Sequence, residues 1–262
     1  MIEVFIESVG VIAPGMVGWV EAQPILSGST PYVWRELPTI APAILPATER
    51  RRCIASARLA LSSACEALAT HTTETTRPVS CVFASSDGDG QIIHQIADSL
   101  AQEEPDVSPI RFANSVHNAA SGYWSIAAGL TQASTTICAF DDTFPAALLE
   151  AAVQTIDEQQ DVLMTAYDMR FPEPFAALRP TALDCAISLL LTNQRTDKTM
   201  AKLQIALVEH CAATALPADL PASFLSNPAA HGLPLLAALA TPAAQTVYLD
   251  YLNRSLMVTI QP

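Results

Sequence analysis

The chain opens on alternation. From Ile2 to Ile12, Ile, Val and Phe alternate with Glu and Ser, and the run ends at Ala13-Pro14-Gly15. Alternation closed by a Pro-Gly pair predicts a strand with a turn behind it. Residues 16–47 carry Pro24, Pro31, Pro38, Pro42 and Pro46, so an irregular excursion with one short helix is expected. Ile54, Ala57, Leu61, Cys65 and Leu68 then fall on one face of a helix, which predicts a single amphipathic helix from Thr48 to His71 with Thr48 as its cap.

The pattern then changes from element to element. Val79–Ala84 is apolar and predicts a strand; Ser85–Gly90 is its turn, Gln91–Glu103 a helix and 105–109 a loop. Phe112–Gly129 starts polar, suiting a loop and cap, and continues as a helix whose Ala119, Ala120, Gly122, Ala127 and Ala128 leave room for close packing. Ser134–Phe140 is β-branched, apolar and uncharged, which predicts a buried strand. Asp141–Pro145 is a tight turn, and Ala146–Gln159 a helix carried by Leu148, Leu149, Ala152, Val153 and Ile156. Asp142 or Thr143 can cap that helix, and Pro145 is tolerated in its first turn. Further strands are expected at Asp161–Tyr167, Asp184–Thr192 and Ala201–Glu209. The tail predicts a helix, Leu233–Ala240, and a closing pair, 246–251 and 255–260. Strands alternating with helices and closed by adjacent strands define a layered α/β fold.

Composition narrows the class. Of 262 residues, 50% are hydrophobic and 15% charged, enough for a substantial core in one large domain or two small ones. No apolar run is long enough to span a bilayer, and the start lacks a basic n-region, so it reads as a strand in a cytoplasmic protein. The net charge of −13 argues against nucleic acid, anionic membrane and acidic protein partners. Glu49-Arg50-Arg51-Arg52 is the one basic patch, either a contact site or a solvated helix start. The six cysteines form no CxxC pair and read as buried free thiols in a reducing compartment.

The candidate chemistry gathers at the 134–159 stretch. A strand running straight into a helix exposes N–H groups and the positive end of the helix dipole, a place that favours an anion. Here that anion is an aspartate. Asp87-Gly88-Asp89-Gly90 echoes the start of a calcium loop, but its twelfth position, Asp98, falls inside a predicted helix, so a strand-to-helix turn is the better reading. GxSxG, P-loop and GxGxxG motifs are absent. His117-Asn118 beside Tyr123-Trp124 reads either as a polar interface cluster or as a loop histidine bonded to backbone.

In order, Val9–Gly15, Arg58–Leu68, Phe83–Gly90, Ser115–Ile126 and the strand–turn–helix at 134–159 resemble the N-terminal half of a β-ketoacyl synthase, the thiolase-type condensing enzyme. Asp184–Thr192 and Ala201–Glu209 resemble the strand pair that closes that half. The most particular segment is Ser115-Val116-His117-Asn118 followed by Tyr123–Ile126. It resembles the short ketosynthase-like proteins of aryl-polyene pathways, themselves similar to chain-length factors. The resemblance implies a thiolase-like layered α/β fold. Residues 1–210 would be the ketosynthase N-terminal-like domain. Residues 211–262 would be a linker, short helix and closing strands packed on it.

Two departures shape the functional expectation. The family's elbow carries a nucleophilic cysteine; counting along the matching helix puts that position at Asp142, with Phe140 and Asp141 before it. An acyl-aspartate would be a mixed anhydride, so Asp142 is a poor acyl acceptor and its plain reading is a helix cap. Cys138 lies four residues earlier and is expected inside the sheet. The family's second half, with its paired histidines, has no counterpart; His210 and His231 do not match its motif. The resemblance then implies a non-catalytic subunit pairing with a full-length β-ketoacyl synthase through the strand before the elbow. Thr135, Ile137, Phe140, Phe144, His117, Asn118, Tyr123 and Trp124 are the candidates for the interface or for shaping the partner's acyl tunnel. No cofactor or metal is expected; the acyl-phosphopantetheine would arrive on an acyl carrier protein docked on the partner. Two other readings stand beside it: an acyl-processing enzyme using Asp142 as base or nucleophile with His117 assisting, and an unrelated α/β binding module.

Overall fold

The computed structural model describes residues 1–69 and 78–262. Its centre is β1 (Ile2–Ala13), whose first half alternates buried and half-exposed and whose second half is buried on both faces. A two-residue strand, β2 (Met16–Val17), folds back on it. The other strands are β3 (Val79–Ala84), β4 (Ser134–Ile137), β5 (Asp161–Asp168), β6 (Cys185–Thr192), β7 (Ala201–Glu209), β8 (Gln245–Tyr251) and β9 (Arg254–Gln261). Among the described residues they form one nine-stranded sheet in the order β4-β3-β5-β6-β1-β7-β9-β8, with β2 on β1. β4, β3 and β5 run parallel; every other pair is antiparallel.

Burial follows from what covers each strand. β3, β5 and β6 are buried along their whole length, as unbroken apolar runs require when helices cover both faces. β7 and β9 alternate, because one of their faces meets water. One face of the sheet is packed by α1 (Trp19–Leu26), α7 (Thr143–Asp157) and α8 (Leu233–Leu239), the other by α3 (Ala55–Leu68) and α6 (Ala119–Ala128). The short helices α2 (Ala47–Arg52), α4 (Gly90–Leu100) and α5 (Pro109–Asn114) connect them.

Four expectations are corrected. The helix expected over 48–71 is two, α2 and α3, because Cys53 and Ile54 adopt extended backbone; α2 starts after Pro46, so Thr48 is no cap. Its expected end at His71 lies outside the described residues. The end of the loop expected over 105–109 and the start of the loop expected from Phe112 fall in one helix, α5, with Pro109 at its start. The strand expected to reach Phe140 stops at Ile137. Cys138 therefore leaves the sheet; it is exposed, with its thiol donating to the Ser86 carbonyl over 2.8 Å.

Candidate functional site

The junction of β4 and α7 lies where the parallel strands end. After Ile137 the chain makes a turn of 3-10 helix over Phe140–Asp142 and enters α7. The sharp point is Phe140, a non-glycine residue at φ 53°. Thr143 braces it: its hydroxyl donates to the Phe140 carbonyl over 2.6 Å and accepts from the Ala139 N–H over 3.1 Å. Asp142 occupies the cap position of α7, but its side chain makes no capping bond to the helix. Instead Oδ2 accepts from the Leu252 N–H, at 2.8 Å, in the turn between β8 and β9. The carboxylate thus tethers the C-terminal hairpin to the elbow.

Phe140 points outward, 56% exposed, and Arg179 lies over its ring with Cζ 3.8 Å from the centroid. The same guanidinium pairs with Asp141 at 2.5 Å and Asp87 at 2.9 Å. Its pKa is raised by those two carboxylates, although burial alone lowers it. Arg179 comes from the proline-bearing loop 169–184, so this one side chain pins that loop to the elbow and to the turn after β3. No local sequence signal marked it.

Behind this layer is Asp168 at the end of β5, fully buried. Its Oδ1 accepts from the Ser86 N–H at 2.8 Å and from the Ser85 and Ser86 hydroxyls, both at 2.9 Å. Its Oδ2 is buried with no partner. Burial pushes its pKa up to about 7, opposed by those donors and reinforced by Asp87. Asp168 was not singled out by sequence, because a strand-ending Asp looks like a turn residue.

The structure separates the sequence candidates. His117 Nε2 lies 2.9 Å from the Ser85 carbonyl, a loop histidine bonded to backbone near the elbow. Trp124 is 1% exposed, packed beside Phe83 in the core, and Phe144 is fully buried against Gly232; neither is a surface anchor. Asn118 and Tyr123 do come together, lining an open hollow of about 350 Å³ with Val116, Gly122 and Ile126. The Tyr123 hydroxyl donates to Asn114 at 3.0 Å. Thr135 accepts from Gln154 at 2.8 Å, and Ile137 packs on the α7 side of the core.

β4 is the edge of the sheet and has a neighbour on one side only. The Ala133 and Ile137 carbonyls accept from Cys81 and Ser85 on the β3 side, so the groups of Thr135 also face β3. Alternation turns the N–H and C=O of Ser134 and Thr136 outward. The edge carries no charge, proline or bulge to protect it.

A nine-stranded mixed sheet packed by helices on both faces, with a sharp elbow at the end of a parallel strand and an open edge beside it, is the architecture of a thiolase-like ketosynthase N-terminal domain. The family model for the β-ketoacyl synthase N-terminal domain matches residues 27–248, and the chain belongs to that family. No curated protein matches the sequence. Solved structures similar to it include a ketosynthase (ApeO) in complex with its chain length factor (ApeC) from Xenorhabdus doucetiae. That match has a TM-score of 0.75 at 22% identity and covers 99% of this chain and 100% of that one. The ishigamide ketosynthase/chain length factor matches with a TM-score of 0.75 at 14% identity, over 100% and 99% of the two chains. The AntDE:AntF assembly, a type II PKS acyl-carrier protein in complex with its ketosynthase bound to the hexaketide, matches with a TM-score of 0.75 at 13% identity, over 99% of each chain. Among the described residues no helix is long and apolar enough to cross a membrane.

Proposed function

We propose that this chain is a chain-length-factor type subunit: it pairs with a full-length β-ketoacyl synthase and has no condensing activity of its own. The observation that carries the reading is the elbow: the backbone turns at Phe140, whose ring is stacked under Arg179, and Asp142, the position that the resemblance assigns to the nucleophile, is spent on holding the β8–β9 turn. The open β4 edge supports continuation of the sheet into a partner. The similar structures that contain a ketosynthase with its chain length factor support the kind of partner. Phe140, exposed beside that edge, is the side chain best disposed to shape the partner's acyl channel. The carrier-bound acyl-phosphopantetheine would dock on the partner, since an acidic carrier is repelled by a subunit of net charge −13. Catalysis by Asp142 with His117 draws no support, because each is committed to a backbone group of a different element.

The test is co-expression with a full-length β-ketoacyl synthase. A one-to-one complex is expected by native mass spectrometry. Thr136→Pro deletes an outward N–H while sparing the ladder to β3, a position where an edge strand tolerates proline. It is expected to cut the co-purified synthase at least tenfold with little change in melting temperature; undiminished recovery would sink the pairing through β4. Asp142→Asn is expected to leave product formation by the assembled pair within threefold. A hundredfold loss from a folded complex would return Asp142 to the chemistry.

A further inference from the structure

On the α3 side of the sheet, the residues flanking β1, β5 and β6 and the segment 34–40 line a cavity of about 220 Å³. Its apolar lining includes Trp34, Ile40, Leu59 and Leu183. Four charged residues complete it: Glu36, Arg58, Arg170 and Asp184. Three of these are committed to one another. Asp184 accepts from the Arg170 N–H at 2.8 Å and lies 3.6 Å from its guanidinium; Glu36 lies 3.8 Å from the same guanidinium and accepts from the Trp34 indole at 3.4 Å. Arg58, half-buried on the first turn of α3, has neither an ion-pair partner nor a side-chain hydrogen bond among the described residues.

We propose that this cavity binds a small organic monoanion, a carboxylate on an aromatic or branched apolar body, with Arg58 as its counter-ion. A half-buried guanidinium with no protein acceptor is free to take one from a ligand, and a carboxylate meets it with two parallel hydrogen bonds. One uncommitted cation calls for one negative charge, which disfavours phosphate. The volume is below the roughly 300 Å³ at which sites for drug-sized ligands begin, which limits the ligand to a single ring or a short branched chain. The apolar walls and the Trp34 indole supply the desolvation that a charge alone lacks. This site is independent of the pairing proposed above.

Isothermal titration of the purified chain with benzoate, benzamide and inorganic phosphate tests it. Saturable benzoate binding is expected, at least tenfold tighter than benzamide, with no competition by phosphate. Arg58→Gln is expected to weaken benzoate at least tenfold, and Arg58→Lys to retain part of the affinity. Thr39→Trp, placed on the exposed rim of the cavity, leaves the cation intact and is expected to block benzoate by volume, so the test survives if Arg58→Gln misfolds. Absence of saturation at millimolar benzoate, equal affinity for benzamide, or binding unaffected by both Arg58→Gln and Thr39→Trp would overturn the assignment.

Discussion

Gly10→Ala is expected to cost the fold about 3 kcal/mol or more, the usual upper end for forcing volume into a packed interior. A Cβ at Gly10 would lie 2.1 Å from the Ser63 carbonyl oxygen and 3.1 Å from the Ala67 nitrogen, both backbone atoms of α3. Backbone cannot rotate away as a side chain can, so β1 and α3 would have to separate. That separation would also pull on a polar seam: Ser8 Oγ donates to the Ala67 carbonyl, and Glu66 accepts the Val11 N–H at 2.9 Å as well as the Trp19 N–H. Glu66 shows the cost of the seam in its raised pKa, which burial drives up against those two donors. Gly122 is the control, since a Cβ there meets nothing within 4 Å. Gly122→Ala in the middle of α6 is expected to be neutral or to stabilise by roughly 0.5–1 kcal/mol. Denaturant midpoints of the two variants decide the matter; a Gly10→Ala protein within 1 kcal/mol of wild type would mean the seam is looser than its distances.

The elements legible in the sequence were those whose pattern is local. The 3.6-residue spacing of Leu148, Ala152 and Ile156 located α7, and the unbroken apolar runs located β3, β5 and β6. The misses have one physical origin, contacts from distant segments. α3 restarts at Ala55 because Asp89 accepts from the Ser56 hydroxyl at 2.8 Å while also capping α4 through the Ile92 N–H at 3.0 Å. Nothing near Cys53 in the chain announces a cap supplied from 33 residues away. β4 ends early because Cys138 turns its thiol to the loop after β3 instead of joining the ladder. The elbow itself was legible as strand, turn and helix, yet its content was not. The strand-to-helix pattern pointed to Asp142, whereas the backbone turns at Phe140 and the decisive side chain, Arg179, lies 39 residues further on, between Leu178 and Pro180. A lone arginine in a proline-bearing loop has no period to betray it.

Asp168→Asn is expected to flatten the pH dependence of stability, because a buried carboxyl at the base of the elbow resists ionisation. In the unfolded chain an aspartate loses its proton near pH 4. In the folded chain Asp168 holds it to about 7. The folded state therefore binds the proton more tightly. The stability that this carboxyl contributes is greatest below about pH 4, falls as pH rises from there to about 7, and is level above that. A shift of this size corresponds to a loss on the order of 4 kcal/mol across the window. Asparagine keeps an acceptor for the Ser86 N–H but has no proton to lose. Unfolding free energies at pH 5 and pH 8 should differ by at least 2 kcal/mol less in the variant than in the wild type. Comparing slopes cancels the self-repulsion of a chain of net charge −13, which both proteins share. The effect should reach the surface, since the single proton of the Ser86 hydroxyl is shared between Asp168, at 2.9 Å, and Asp87, at 2.6 Å, and Asp87 holds Arg179 over Phe140. Ionising Asp168 beside Asp87 strains that relay, so limited proteolysis of loop 169–184 should quicken between pH 5 and 8 in the wild type and not in Asp168→Asn. Identical slopes in the two proteins would mean that Asp168 is already charged in the fold.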